Sequence, residues 1–275
     1  MAFDLSSLPP LRDVIRDHDL RAEKKLGQNF LLDQNITDKI VRACGDLTGL
    51  TIFEIGPGPG GLTRSLLASE AKKIIAIEFD DRAVAALQAL SAASDGRLEV
   101  IKGDALHSDL VSMAEGPRAI VANLPYNIST VLLLKWLEDL HADHSRYKFM
   151  TLMFQKEVAD RLTAKSGTKD YGRLSVMTQW LCNVAKAFDL PPEAFSPPPK
   201  VTSSVMVMKP KDRSDPFPAF EKMEKVLAVA FQQRRKMVRS SLKIYNTQME
   251  DIGLDQTLRA ENLELQDYLK LAEKI

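Results

Sequence analysis

The sequence predicts an α/β fold, a mostly parallel sheet with helices on both faces, followed by a small all-helical C-terminal domain. Two observations carry that expectation. Between residues 51 and 140, β-branched runs alternate with segments of helical composition at βαβ spacing. From KPKDRSDPFPAF (209–220) onward, proline and charge make a linker, and no strand-like run follows it. The chain of 275 residues is long enough for one sizeable core and a small appendage. With 45% hydrophobic and 27% charged residues, it is neither a disordered nor a low-complexity chain.

In order, Asp33 caps a helix over 33–44, with Ile36, Ile40 and Val41 on one face and Gly45 as its stop. TIFEI (51–55) is a strand, GPGPGG (56–61) a glycine loop, and LTRSLLAS (62–69) a helix. KKIIAIEF (72–79) follows as a buried strand and DRAVAALQALSAA (81–93) as a helix. LEVIKGDA (98–105) is a strand ending at an acid, and RAIVANLPY (118–126) one ending in a polar loop. STVLLLKWLEDL (129–140) returns as a helix opened by Ser129 as cap. KFMTLMFQ (148–155), EVADRLTAK (157–165), a turn at Gly172, LSVMTQWL (174–181), VAKAFDL (184–190) and SSVMVMKP (203–210) extend the pattern with two or three further strands, and 219–275 is helical. The predicted organisation is an N-terminal extension (1–32), an α/β domain (33–210) and a helical domain (211–275).

Formal charge is zero and the pI about 6.9, so any contact with nucleic acid must come from local basic patches. Two cysteines, Cys44 and Cys182, make neither a disulfide framework nor, without histidines in ligand spacing, a zinc site. Reduced, buried thiols and no metal are expected. No run approaches ~18 uncharged apolar residues, and MAFDLSSLPPLRDVI has Asp4 and paired prolines where a signal peptide needs a basic and then an apolar region. The expectation is a cytoplasmic protein without a membrane partner.

GPGPGG satisfies G-x-G-x-x-G through Gly56, Gly58 and Gly61, with Glu78 at the end of the next strand, as a dinucleotide fold requires. Proline argues against NAD. Pro57 and Pro59 lack amide hydrogens, so a loop that must donate N–H groups to a pyrophosphate has lost two of them. S-adenosylmethionine carries no phosphate and suits a loop built for close backbone approach. Glu54 stands where it attracts a sulfonium or amino group. Glu78 can accept both hydrogen bonds from a ribose diol, and Asp104 can accept from the exocyclic amine of an adenine. Either acid alone would read as the cap of the helix that follows; three at consecutive strand ends point to a nucleoside cofactor.

NLPYNIST (123–130) lies on the same rim. The Asn123 side-chain oxygen and the Leu124 carbonyl can accept both hydrogens of an adenine amino group, Pro125 fixes the turn, and Tyr126 stacks on the ring. Accepting both hydrogens draws the nitrogen out of conjugation and exposes its lone pair to a methyl group.

KKLGQNFLLD (24–33), EIGPGPGGLT (54–63), NLPYNIST, QKEVADRL (155–162), YGRLSVM (171–177), FSPPPKVTSSV (195–205) and FQQRRKMVR (231–239) together closely resemble the KsgA/RsmA family of ribosomal RNA adenine dimethyltransferases. The resemblance implies a Rossmann-like class I methyltransferase core with a helical domain. It implies transfer of two methyl groups from S-adenosylmethionine to N6 of each of two adjacent adenines near the end of small-subunit ribosomal RNA, with a role in late subunit assembly. By motif position, Asn29 and Leu31 would contact the cofactor, Gly56 and Gly58 would line its pocket, Glu78 would hold the ribose, Asp104 the adenine, and Asn123 would lie between cofactor and target base. Tyr126 and Phe195 would sandwich that base. Thr202, Phe154 and Met237 depart from the family's usual Asp, Val and Thr without touching these roles.

From Lys225 to Lys243 there are six basic residues and no acid. Arg234, Arg235, Lys236 and Arg239 would grip RNA phosphates, with Lys24 and Lys25 holding the strand beside QNFL. The four histidines fall outside every motif and are expected to be structural or exposed. The expected partner is the small ribosomal subunit, bound by a monomer. The alternatives are a large-subunit adenine methyltransferase of the antibiotic-resistance type and a ribosome assembly factor with an incidental methyltransferase site; NLPYNIST with the RRK segment favours the small-subunit enzyme.

Overall fold

The structure, a computed structural model, describes residues 8–20, 27–213 and 216–275. The predicted RNA contacts Lys24 and Lys25 lie outside the described residues. In chain order the elements begin α1 (Leu11–Asp17), β1 (Phe30–Leu31), α2 (Gln34–Cys44), β2 (Thr51–Ile55), α3 (Gly61–Leu67), β3 (Lys73–Glu78) and α4 (Asp81–Ala93). They continue with β4 (Leu98–Lys102), β5 (Arg118–Ala122), α5 (Ser129–Ala142), β6 (Met150–Gln155), α6 (Lys156–Leu162) and α7 (Arg173–Leu181). Then come β7 (Cys182–Leu190), β8 (Phe195–Ser196), β9 (Ser203–Pro210), α8 (Phe220–Gln232), α9 (Val238–Ser241), α10 (Asn246–Asp251) and α11 (Leu265–Glu273).

Two compact units form: residues 1–135, 145–156 and 185–209 in one, and 136–144, 157–184 and 210–275 in the other. The segments 136–144 and 157–184, which the sequence assigns to the α/β domain, thus cluster with the C-terminal helices. Aromatic packing accounts for it. The His141 ring stacks on Phe217 with centroids 4.6 Å apart, and Trp180 lies 5.4 Å from Phe217 and 6.2 Å from Phe220. Arg213 donates to the last carbonyls of α5, at His141 and Ala142, where a cation favours the helix dipole.

In the first unit the sheet order is β4-β3-β2-β5-β6-β9-β7. β4, β3, β2, β5 and β6 pair in parallel and β9 runs antiparallel to β6. The central strand TIFEI is buried along its whole length, as a strand covered on both faces must be. Asp33 and Asp80 accept from the backbone N–H groups of Asn35 and Arg82, which starts α2 and α4 at those positions. Chain direction across the sheet reverses between β2 and β5, and the crevice outside the carboxyl ends of two such strands is where open α/β sheets bind ligands. A separate pair, β1 with β8, sets Leu31 opposite Phe195.

Both cysteines are free and buried, and burial raises their thiols to about 11 for Cys44 and about 12 for Cys182, so neither is a nucleophile at neutral pH. Among the described residues no helix is long and apolar enough to cross a membrane, and no cluster of His, Cys, Asp and Glu is set to hold a metal ion.

Candidate active site

The loops after β2, β3, β4 and β5 converge, together with residues 27–31, on a cavity of about 230 Å3. Asn29, Leu31, Glu54, Gly56, Gly58, Glu78, Asp104, Asn123, Leu124, Pro125 and Tyr126 all line it. Phe195 does not. It is 4% exposed and packs in the core with Leu31 and Phe149, because pairing of β8 with β1 turns it inward. Phe195, one of the two residues predicted to sandwich the target base, thus lies outside the lining of this cavity.

The glycines of the loop answer to the protein as much as to a ligand. A Cβ on Gly61 would lie 2.3 Å from the Leu31 carbonyl oxygen, and one on Gly58 would lie 2.9 Å from the Phe30 ring. Only glycine lets β1 lie against this turn. A Cβ on Gly56 would meet nothing closer than Pro125 Cδ at 3.8 Å, although its φ of +66° still favours glycine.

Glu78 carries more than a capping role. Its Oε1 accepts from the backbone N–H groups of Phe79 (2.8 Å) and Asp80 (2.9 Å), and its Oε2 from Gly58 N–H (3.0 Å). Three of roughly four lone-pair sites on a carboxylate are thus committed. One remains for a ribose hydroxyl, not the two predicted. Burial raises the Glu78 carboxyl, and those N–H groups oppose the rise.

Glu54 is 1% exposed, and its Oε2 is buried without a hydrogen-bond partner among the described residues. Burial pushes the carboxyl up to about 8 against the nearby Thr63 hydroxyl, with the Glu78 charge adding to the rise. An orphaned acceptor of this kind on a cavity wall fits a cationic ligand.

The Asn123 Nδ2 donates to the Asn29 carbonyl at 3.0 Å. That bond fixes the amide orientation and leaves Oδ1 without a partner among the described residues. Tyr126 is anchored by a 2.5 Å hydrogen bond between its hydroxyl and Ser203 Oγ. Ser129 does not cap α5; its Oγ donates back to the Tyr126 carbonyl at 3.1 Å, fixing the turn behind the ring. Asp104 Oδ1 accepts from Leu106 N–H at 2.9 Å, and Oδ2 meets the exposed His107 ring at 3.1 Å.

Two cavity residues escape the sequence motifs. Phe79 is 63% exposed yet lines the cavity, offering it an aromatic face. Asp80, held by Arg82 and then by Gln28 at 3.1 Å, sits at about 2 and stays ionised. The aromatic in IEFDD, directly after the strand-end acid, was the available signal.

The basic residues fall in the second unit, and all four are exposed. They are not equivalent. An Arg234 guanidinium nitrogen donates to the carbonyls of Lys169 (2.8 Å) and Tyr171 (3.0 Å), whereas Arg235, Lys236 and Arg239 make no side-chain hydrogen bond or ion pair among the described residues.

A family model described as ribosomal RNA adenine dimethylase matches residues 19–275. The chain belongs to the ribosomal RNA adenine dimethylase family. It is 50% identical to the ribosomal RNA small subunit methyltransferase A of Mesorhizobium japonicum over 99% of this chain and 100% of that one, and 51% identical to that of Rhodospirillum rubrum over 98% and 93%. Among solved structures it is similar to a dimethyladenosine transferase from Plasmodium falciparum, at a TM-score of 0.74 and 28% identity over 87% of this chain and 94% of that one. It is also similar to the 23S rRNA methyltransferase ErmE, at 0.66 and 25% over 90% and 99%. The family's chemistry is this chain's: S-adenosylmethionine-dependent dimethylation of adenine in ribosomal RNA.

Proposed function

We propose that the chain dimethylates N6 of two adjacent adenines near the 3′ end of small-subunit ribosomal RNA during late subunit assembly, acting in the cytoplasm as a monomer. The observation that carries the reading is the Asn123 amide, whose nitrogen is spent on Asn29 and whose oxygen is left as an acceptor on the cavity wall. The subunit assignment is supported by relatives of half identity over nearly the whole chain that are named small-subunit methyltransferases, against a quarter identity to the large-subunit enzyme.

When bound, S-adenosylmethionine supplies an electrophilic methyl group on a sulfonium with a neutral leaving group. The chain's residues provide orientation, electrostatic complementarity and exclusion of water. Glu54 holds the cofactor's positive charge, Glu78 one ribose hydroxyl through its last lone-pair site, and Asp104 the adenine amine, with Phe79 stacked on that ring. Asn29, Leu31, Gly56 and Gly58 shape the pocket. Tyr126 stacks on the target base after it leaves the RNA helix, at a cost of a few kcal/mol that stacking offsets. Asn123 Oδ1 and the Leu124 carbonyl, held by Pro125, take its two amino hydrogens. The amine proton passes to solvent after transfer, so the site needs no general base.

The test incubates the protein with methyl-labelled cofactor and small subunits lacking the modification, with large subunits as control. Dimethyladenosine confined to small-subunit RNA is expected. Label in large-subunit RNA overturns the target, and tight subunit binding with no label makes the chain an assembly factor.

Arg235, Lys236 and Arg239 are the RNA-gripping cations, while Arg234 braces the 169–171 backbone. Arg235→Gln is expected to reduce the slope of log affinity against log salt by about one with an unchanged melting temperature. Arg234→Gln is expected to cost about 1 kcal/mol of stability by leaving two carbonyls unpaired. Filter binding across a salt series and thermal melts separate the two.

A further inference from the structure

We infer that Lys135, on α5 and outside every motif, is a positioning residue that holds Asp104 in the geometry that reads the cofactor's adenine. The inference rests on the reading of Asp104 given above. The Lys135 Nζ lies 3.2 Å from the Ala105 carbonyl oxygen, 3.0 Å from that of Leu106 and 2.5 Å from that of Ser108. An ammonium has three N–H donors, and all three are spent on one loop.

The other ends of the same groups return to Asp104. Ala105 C=O and Leu106 N–H belong to one peptide unit, and that N–H donates to Asp104 Oδ1 at 2.9 Å. Leu106 C=O and His107 N–H belong to the next, and that N–H donates to the Asp104 carbonyl at 3.0 Å. Ser108, whose carbonyl meets Lys135, also donates its Oγ to the Asp104 carbonyl at 2.8 Å. Each peptide unit is planar and rigid, so two successive planes are clamped between the Lys135 ammonium and Asp104. The cation polarises each carbonyl and strengthens the N–H donated from the same plane. Of the Asp104 carboxylate, Oδ1 is thereby pinned by the loop. Oδ2 meets only the exposed His107 ring among the described residues, which leaves it to a ligand. Without the ammonium, three carbonyls lose their common partner and the aspartate its fixed rotamer.

The test measures binding of S-adenosylhomocysteine and of its inosine analogue, which lacks the exocyclic amine, by calorimetry to the wild type, Lys135→Met, Lys135→Arg and Asp104→Ala. A site built around a hydrogen bond to the amine should favour adenine by about 10- to 100-fold in the wild type. Lys135→Met is expected to weaken the adenine ligand by about tenfold or more and to leave the inosine ligand nearly unchanged, collapsing the ratio. Lys135→Arg, which keeps a cation but presents a planar fork, is expected to restore part of it. The turnover rate at saturating cofactor should stay unchanged in both lysine variants. An unaltered ratio in Lys135→Met and Lys135→Arg, with a lowered ratio in Asp104→Ala, overturns the role of the lysine and keeps that of the aspartate. A parallel weakening of both ligands, or a fall in melting temperature alone, reduces Lys135 to a structural residue. Absence of discrimination in the wild type removes the reading of Asp104, and the inference with it.

Discussion

Asn123→Ala is expected to lower the single-turnover rate of methyl transfer by about 10²- to 10³-fold, the usual cost of removing one preorganised acceptor or donor at a reacting centre, while cofactor affinity changes little. The reason lies in how the amide is used. Its Nδ2 is bonded to the Asn29 carbonyl, so the side chain is oriented before any substrate arrives, and Oδ1 is the atom left for the incoming amine. Truncation removes the acceptor that draws the amine out of conjugation, an interaction realised only with the reacting base in place. The lost Asn29 contact is a neutral hydrogen bond worth about 1 kcal/mol, which limits the effect on the cofactor side. Rapid-quench assays at saturating cofactor and RNA measure the first quantity and calorimetry the second. A variant whose rate holds while cofactor binding collapses would move Asn123 from the methyl-transfer centre to the pocket lining.

The features legible in the sequence were those whose chemistry sits in a short contiguous stretch. TIFEI followed by GPGPGG contains the strand, the turn and the acid in eleven residues, and the structure forms them at those positions. Asp33 starts a helix because an Asx side chain followed by a helical run carries its own mechanism. What sequence could not show depends on partners far along the chain. The pairing of β1 with β8 joins two-residue strands about 165 residues apart by sequence number, too short for any periodicity, and it is this pairing that buries Phe195. Arg234 and Arg235 are adjacent and chemically identical, yet only Arg234 meets two backbone carbonyls. Lys135 reads as an ordinary helix charge, like Glu138 and Asp139 beyond it, until the loop after β4 is folded around its ammonium.

Cofactor binding is expected to release close to one proton at pH 7 and to strengthen as pH rises toward 8, with Glu54 as the source. In the free protein burial holds this carboxyl at about 8, so it is largely protonated at neutral pH. A cation against Oε2 favours the carboxylate, lowers its pKa in the complex and expels the proton. Affinity therefore gains up to about tenfold per pH unit between the complex's pKa and that of the free protein, then levels off. The neighbouring Glu78 is itself raised by burial, and its charge opposes ionisation of Glu54 until the cation arrives. Asp80, at about 2, stays ionised throughout and cannot supply the proton. The same shift bears on stability. The folded Glu54 binds its proton more tightly than the unfolded chain, whose carboxyl titrates near 4.5, so the contribution is full below that pH and is lost as pH rises through about 8. Asp80 acts in the opposite window, since its contribution is present above its ordinary 3.8 and fades as pH falls toward 2. Calorimetry in buffers of different ionisation heat counts the released proton directly. Glu54→Gln should abolish the release, weaken binding more at pH 8.5 than at 6.5, and flatten the decline in melting temperature of the free protein between about pH 4.5 and 8. Proton release that persists in Glu54→Gln would assign the titration to Glu78, the other carboxyl lining the cavity that burial raises.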